Sequence, residues 1–112
     1  EFAAAGGIES KEYLYSGSDK ANEVAWCGLR EDNYPKEVGM LQGNELGLFD
    51  MSGNVREWCN DSQVVSEDKK PTKGGFWKSY NSQVEIYAKE YFYPPSTKRN
   101  NVGFRIAVST PR

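Results

Sequence analysis

Glycine and proline interrupt almost every stretch of this 112-residue chain, eleven of the first and five of the second. The doublets Gly6-Gly7, Gly74-Gly75 and Pro94-Pro95 stand among single glycines at 17, 28, 39, 43, 47, 53 and 103. Such punctuation leaves little room for long helices, because glycine raises the entropic cost of a helix and proline removes a backbone donor. What remains are short runs with strand character at 13–15, 23–26, 45–49, 75–77 and 102–108. The last alternates, with Val102, Phe104, Ile106 and Val108 on one face and Gly103, Arg105 and Ala107 on the other. That period of two predicts a half-buried strand. Helical signals are confined to residues 1–5, read as a helix tail that Gly6-Gly7 stops, and to the turn at 54–58. Three Trp, seven Tyr and five Phe can fill a core although only 38% of residues are hydrophobic. The expected class is a loop-rich α+β domain of short strands. The polar stretch 62–72 is read as a surface loop.

Composition removes many functions. Fourteen Lys+Arg against 16 Asp+Glu give a net charge of −2, without the clustered basic face that a nucleic-acid partner requires. No histidine is present, which excludes Ser–His and Cys–His nucleophiles and His-ligated zinc within these residues. Cys27 and Cys59 are too few for a zinc site by themselves. They either pair as a disulfide in an oxidising compartment or stay as buried thiols. No apolar run approaches the ~18 residues of a transmembrane helix.

The densest chemical signal lies at residues 44–58. Asp50 and Glu57 are seven positions apart across a Ser52-Gly53-Asn54 turn, with apolar residues on both sides. Gly53 lets the backbone fold sharply, so that carbonyls can converge between two carboxylates. An all-oxygen shell of that kind suits calcium. A surface turn carrying two solvated acids has the same spacing.

The run Gly-Leu-Phe-Asp-Met-Ser-Gly-Asn-Val-Arg-Glu-Trp at 47–58 resembles the signature of the formylglycine-generating enzyme, or sulfatase-modifying factor, family. Lys73-Gly74-Gly75-Phe76-Trp77 is similar to that family's Arg-Gly-Gly-Ser-Trp. Pro95 followed by Asn100-Asn101-Val102-Gly103-Phe104-Arg105 resembles its closing Pro…Asn-x-Gly-Phe-Arg. Glu1 to Gly7 resembles a helix end of the family, with Ala5 where an Arg is usual. Tyr15-Ser16-Gly17-Ser18 and Glu23-Val24-Ala25-Trp26 fit the segments between. The match runs in order across residues 1–112 and covers the C-terminal half or so of a family domain, so a domain truncated at its N-terminus is expected.

The resemblance implies a variant C-type-lectin-like fold with little regular secondary structure and a structural calcium ion at the signature turn. Its implied ligands are the side chains of Asp50 and Glu57 and the main-chain carbonyls of Gly53 and Val55. A second family calcium site would fall near Asn22, Glu23 and Asp32, where the match is poor, and none is expected there. Relatives that oxidise a sulfatase cysteine hold copper between two cysteines after the Gly-Gly-Ser-Trp turn. Thiolates select Cu(I), and no oxygen donor substitutes well. Here Ser79 takes the first position and the second falls between Ser82 and Val84, while no cysteine follows Cys59. Two expected arginines are Ile86 and Glu90, and Arg56 stands where the family has Trp. No copper is expected. The related sulfoxide synthases bind iron through histidines, which these residues lack.

The function expected from sequence is therefore a non-catalytic, calcium-stabilised domain that binds a protein or glycan. Trp77, Ser79, Tyr80, Ser82, Tyr91 and Tyr93 would supply the ligand face, since Tyr, Ser and Asn give adaptable recognition. The same aromatics would otherwise fill a small core. Arg105 and Trp58 are read as structural, Arg105 anchoring the last strand through a carboxylate or carbonyls. The alternatives are an accessory or truncated part of a sulfatase-modifying enzyme, and a displayed variable protein of a diversity-generating retroelement. A bacterial secreted, periplasmic or cell-surface location is the expectation that goes with this family resemblance.

Overall fold

The computed structural model describes residues 1–28, 34–59 and 69–107. The first residues close as a helix end. The Ala5 N–H donates to the Glu1 carbonyl, Gly6 N–H to Ala3 and Gly7 N–H to Phe2. Gly6 adopts the left-handed conformation at φ 98°. This crossed pair of bonds around a left-handed glycine satisfies carbonyls that a helix end leaves open. The chain turns there into a 3₁₀ segment at Gly7–Glu9.

A single helical turn, α1 (Ala21–Val24), buries Ala21 and Val24. They join Tyr15, Ala25, Cys27 and Val84 in the hydrophobic core cluster. A strand was expected at 23–26. Instead Val24 is delivered to the core by the helical turn, and Trp26 makes only an isolated bridge to Gly53. Burial of two small side chains outweighs the β preference of the run.

Among the described residues four short strands form one mixed sheet in the order β3-β2-β1-β4. They are β1 (Arg56–Trp58), β2 (Lys70–Lys73), β3 (Tyr91–Tyr93) and β4 (Val102–Gly103). β1 and β2 are antiparallel, with Glu57 opposite Lys73; β2 and β3 are antiparallel, with Pro71 opposite Phe92. β1 and β4 are parallel, placing Glu57 opposite Gly103. Pro71 cannot donate to the ladder, yet its carbonyl accepts the Cys59 N–H at 3.0 Å. The Trp58 and Tyr93 rings meet edge to face with centroids 6.5 Å apart.

Several sequence expectations are corrected. Residues 45–49 form no strand, because the Asn44 side-chain oxygen accepts the Leu46 and Leu48 N–H groups and closes a local turn. Residues 75–77 form no strand and lead into the turn that the Ser79 N–H closes on the Phe76 carbonyl; the strand lies earlier, at β2. That strand also corrects the reading of 62–72 as surface loop, since Pro71 and Thr72 are buried; 62–68 lie outside the described residues. Residues 54–58 give β1 rather than a helical turn. Tyr15 bridges Ser18 across a tight turn, so 13–15 is not a run of strand. Of 102–108, only Val102–Gly103 pairs, while Phe104 and Ile106 stay exposed and Val108 lies outside the described residues. Both cysteines are free thiols, Cys27 buried and Cys59 half-buried. Among the described residues no helix is long and apolar enough to cross a membrane.

Candidate functional site

The signature turn is held by backbone geometry before any charge is considered. Asp50 and Asn54 sit at φ 57° and 64°, and Gly53 at φ 78°. A Cβ at residue 53 would lie 2.6 Å from the Trp26 carbonyl oxygen, so only glycine fits this approach. The Gly53 N–H donates to the Gly74 carbonyl and the Asn54 N–H to the Trp26 carbonyl. The Asn54 side chain clamps a third segment, accepting from the Lys36 N–H at 2.7 Å and donating to the Lys36 carbonyl at 3.1 Å. Ser52, buried, accepts the Ser16 N–H. The signature therefore serves first as a structural junction. That role was not read from the sequence, although the run Ser-Gly-Asn carries its signal.

On this frame, Asp50, Val55 and Glu57 line one cleft of about 390 Å³, rimmed by Val38, Phe49 and Phe104. Three of the four residues expected to hold calcium thus share a cavity. Gly53 does not line it; it is buried, with its amide engaged. Asp50 is 7% exposed. Its Oδ2 accepts the Gly39 N–H at 2.8 Å, whereas its Oδ1 is buried with no hydrogen-bond partner among the described residues. A buried carboxylate oxygen without a donor is costly unless something positive meets it.

The Glu57 carboxylate is held by Arg105, Nε to Oε1 at 2.5 Å and Nη2 to Oε2 at 2.8 Å. The same Nη2 donates to the Phe49 carbonyl at 2.8 Å. Hydrogen bonding to Glu57 pushes the Arg105 guanidinium above its ordinary range, against the opposing effect of burial. Among the described residues no three His, Cys, Asp or Glu side chains cluster as a metal site. A cation here would rely on two carboxylates and backbone carbonyls, a donor set that fits a hard ion and not a soft one. The orphaned Asp50 oxygen is consistent with that fit. At the second family position, Asn22 and Glu23 are exposed, Glu23 accepts the Ser18 hydroxyl, and Asp32 lies outside the described residues.

The expected ligand face divides in two. Tyr80, Ser82 and Tyr91 are exposed, Tyr80 by 65%. Gln83 ties the group together, accepting the Tyr80 N–H and donating to the Tyr91 hydroxyl. Trp77 is half-buried and donates from Nε1 to the Asn100 carbonyl. Ser79 does not belong to this face: it is 1% exposed and its hydroxyl accepts the Phe76 N–H, closing the Gly-Gly-Phe-Trp turn from inside. Tyr93 is also engaged inward, where its hydroxyl accepts from Arg56.

Arg56 is the residue whose role sequence reading missed. It is 5% exposed, and its guanidinium lies 4.4 Å from the Phe76 ring centroid and 4.1 Å from that of Tyr91. Its Nη1 reaches the Tyr93 hydroxyl, while Nε is buried without a partner among the described residues. A cation between two aromatic faces replaces the Trp expected there and joins β1, β3 and the Gly-Gly turn. Cys59 offers little as a nucleophile, because burial pushes its thiol up from the ordinary 9.0.

Residues 1–110 match the family of the sulfatase-modifying factor enzyme 1-like domain. Chaperone protein LppX of Paenibacillus barcinonensis is 36% identical over 124 residues, covering 92% of this chain and 42% of LppX. Inactive C-alpha-formylglycine-generating enzyme 2 of Bos taurus is 27% identical over 131 residues, covering all of this chain and 42% of the bovine protein. Among solved structures, CarF superposes with a TM-score of 0.76 at 29% identity, over 92% of this chain and 41% of CarF. Treponema denticola variable protein 1 superposes with a TM-score of 0.74 at 24% identity, over 91% of this chain and 42% of the other, a likeness of fold alone. The chain thus spans less than half the length of the proteins it resembles.

Proposed function

The chain belongs to the sulfatase-modifying factor enzyme 1-like domain family, and from that premise we propose that it is a non-catalytic, calcium-stabilised domain that binds a protein. The observation that carries the non-catalytic reading is the position of Ser79. It occupies the first copper-cysteine position of the active relatives, faces inward and is spent on a turn. An alkyl hydroxyl there supplies neither the soft ligand nor the redox chemistry that the cysteine pair provides. One relative is itself named an inactive enzyme.

The stabilising role rests on the cleft at the signature turn. Asp50 and Glu57, with the carbonyls of Gly53 and Val55 that the family resemblance implies, would hold calcium, which would neutralise the Asp50 carboxylate, share Glu57 with Arg105 and cross-link the turn to β1. In that arrangement Arg105 orients the Glu57 carboxylate, and the Gly39 amide engages one oxygen of Asp50, leaving the other without a donor among the described residues.

For the partner, the 36%-identical relative is named a chaperone protein, which favours a polypeptide over a glycan. The exposed Tyr80, Ser82 and Tyr91 are the side chains offered to it. Tyrosines held in place by Gln83 and Arg56 provide contact area at low entropic cost.

The test has two arms. Incubation with copper and a sulfatase-motif cysteine peptide is expected to leave the peptide mass unchanged; conversion to formylglycine would overturn the non-catalytic reading. Parallel protein and glycan arrays, each with calcium and with chelator, are expected to show calcium-dependent retention on protein only. Retention confined to glycans would overturn the choice of partner.

A further inference from the structure

We propose that Arg56, Arg99, Tyr91 and Tyr93 form a carboxylate-binding site on the aromatic face, and that the polypeptide docking there presents an acidic side chain to it. This site rests on the reading of that face as protein-binding and is independent of calcium.

Two phenol hydroxyls on this face are acceptors toward the protein. The Tyr93 hydroxyl accepts from Arg56 Nη1 at 2.9 Å, and the Tyr91 hydroxyl accepts from Gln83 Nε2 at 3.3 Å. The Tyr80 N–H binds the Gln83 side-chain oxygen, which leaves the NH₂ end of that amide for Tyr91. A phenol oxygen that accepts from within the protein keeps its own proton to give. Neither proton meets an acceptor among the described residues. Tyr91 is 39% exposed and Tyr93 half-buried, so both rings border solvent.

Tyr93 also gathers two cations. The Arg56 guanidinium meets its hydroxyl, and the Arg99 guanidinium lies 5.3 Å from its ring centroid. Arg56 is 5% exposed, and its Nε has no partner among the described residues. Neither arginine forms an ion pair with a carboxylate among the described residues. Two like charges at one ring repel, and the rings of Phe76 and Tyr91 offset only part of the cost of burying Arg56. Buried charges are ordinarily paired, so the component this arrangement calls for is an anion.

Charge is sorted across the sheet. Side chains alternate along a strand, so Glu57 lies on the face of β1 opposite Arg56. There Arg105 engages it, and with Glu85 it lines a separate cavity of about 550 Å³ that Lys73 shares. Exposed Lys78 follows Trp77, and exposed Lys98 and Arg99 precede Asn100; Trp77 and Asn100 are hydrogen-bonded to each other. A chain of net charge −2 thus carries a locally cationic patch beside its tyrosines. Two O–H donors and a guanidinium suit a carboxylate, which accepts several charge-assisted bonds at once. The tyrosine rings supply contact area for the residues that flank it, which favours an acidic peptide segment over a bare anion.

The probes are three acetylated, amidated peptides that carry glutamate, glutamine or lysine at the same two positions beside a tyrosine, so that side chains supply their only charge. Binding is measured by titration calorimetry in calcium buffer. The glutamate peptide should bind at least about tenfold more tightly than the glutamine peptide, the scale of one charge-assisted hydrogen bond. That preference should shrink as salt is raised, and the lysine peptide should bind least. Arg99→Gln, at an exposed position, should abolish the preference, whereas Lys11→Gln removes an equal charge elsewhere and should preserve it. Tyr93→Phe should weaken it too, because the ring stays under Arg99 while the donor proton is lost. Equal binding of the glutamate and glutamine peptides, or binding of none, overturns the carboxylate site; retention on the protein array would still leave the face protein-binding. Tighter binding of a heparin fragment than of the glutamate peptide would overturn it as well, by assigning the cations to a sulfated glycan.

Discussion

Arg105 grips Glu57 with two parallel hydrogen bonds, and through the Phe49 carbonyl it reaches the residue next to Asp50. One guanidinium therefore spans both ends of the signature turn, 48 positions from one contact and 56 from the other. That geometry makes Arg105 the tie between the closing segment and the cleft.

Arg105→Gln is expected to lower stability to urea by about 1–2 kcal/mol, the range for charge-assisted bonds less a discount for solvent. The discount is needed because 36% of the Arg105 side chain is exposed. Arg105→Lys should recover less than half, since an ammonium cannot fork a carboxylate. Equal unfolding midpoints for all three proteins would show that the pair contributes nothing.

Calcium dependence is tested at Asp50. Chelator should lower the melting temperature, and calcium at 100-fold its dissociation constant should add about 2.7 kcal/mol if it binds only the folded state. Asp50→Ala should abolish the difference between the two conditions. Identical melting of the parent protein with calcium and with chelator would sink the site.

The sharp turn at Ser52-Gly53-Asn54 was legible in sequence, whereas its surroundings were not. Asp50, Gly53 and Glu57 stood out by the spacing of two acids across a glycine turn, and the structure gathers Asp50, Val55 and Glu57 at one cleft that Gly53 does not line. The Gly6-Gly7 helix stop was legible for a similar reason: left-handed backbone leaves a residue signature. Strand positions were not, because strands of two to four residues carry too little periodicity. At 23–26 and 45–49, burial of Val24 and the side-chain bonds of Asn44 overrode local preference. Ser79 looked like a recognition residue because its type is common on binding faces. Its inward rotation depends on the Phe76 amide, a contact that no sequence pattern announces. Arg56 was visible only as a departure from Trp, since a stack joining residues 56, 76 and 91 is a fact of tertiary structure.

Cys59 provides a pH test with a defined sign. Burial raises its thiol above the ordinary 9.0, so the unfolded chain loses that proton first as pH climbs. The stability associated with the protonated thiol is complete below 9.0 and is lost as pH rises through the higher folded value. Between pH 8 and 10 the parent protein should therefore lose more stability than Cys59→Ser, in which this titration is absent. Urea midpoints measured for both across that range decide it. Parallel pH profiles would mean that the thiol ionises alike in the folded and unfolded chains.

Arg56 separates packing from charge. Truncation by Arg56→Ala removes the stem, both ring contacts and the bond to the Tyr93 hydroxyl. Its cost should be about 2–4 kcal/mol, as for other large-to-small changes in a core. Arg56→Met keeps most of the volume and removes the buried Nε that lacks a partner, while giving up the cation–π contacts. It should cost only about 1–2 kcal/mol, the stacking and hydrogen-bond terms less the relieved burial of a charge. The readout that distinguishes a spacer from an organiser is Tyr91, whose ring rests on the guanidinium at the edge of the exposed face. In Arg56→Met the Tyr91 ring should lose order, seen as averaged aromatic NMR signals, even where the melting temperature changes little. If Arg56→Met matches the parent in both stability and Tyr91 order, the charge at residue 56 is incidental and only its bulk matters. If methionine proves as damaging as alanine, the cation itself holds the two rings together.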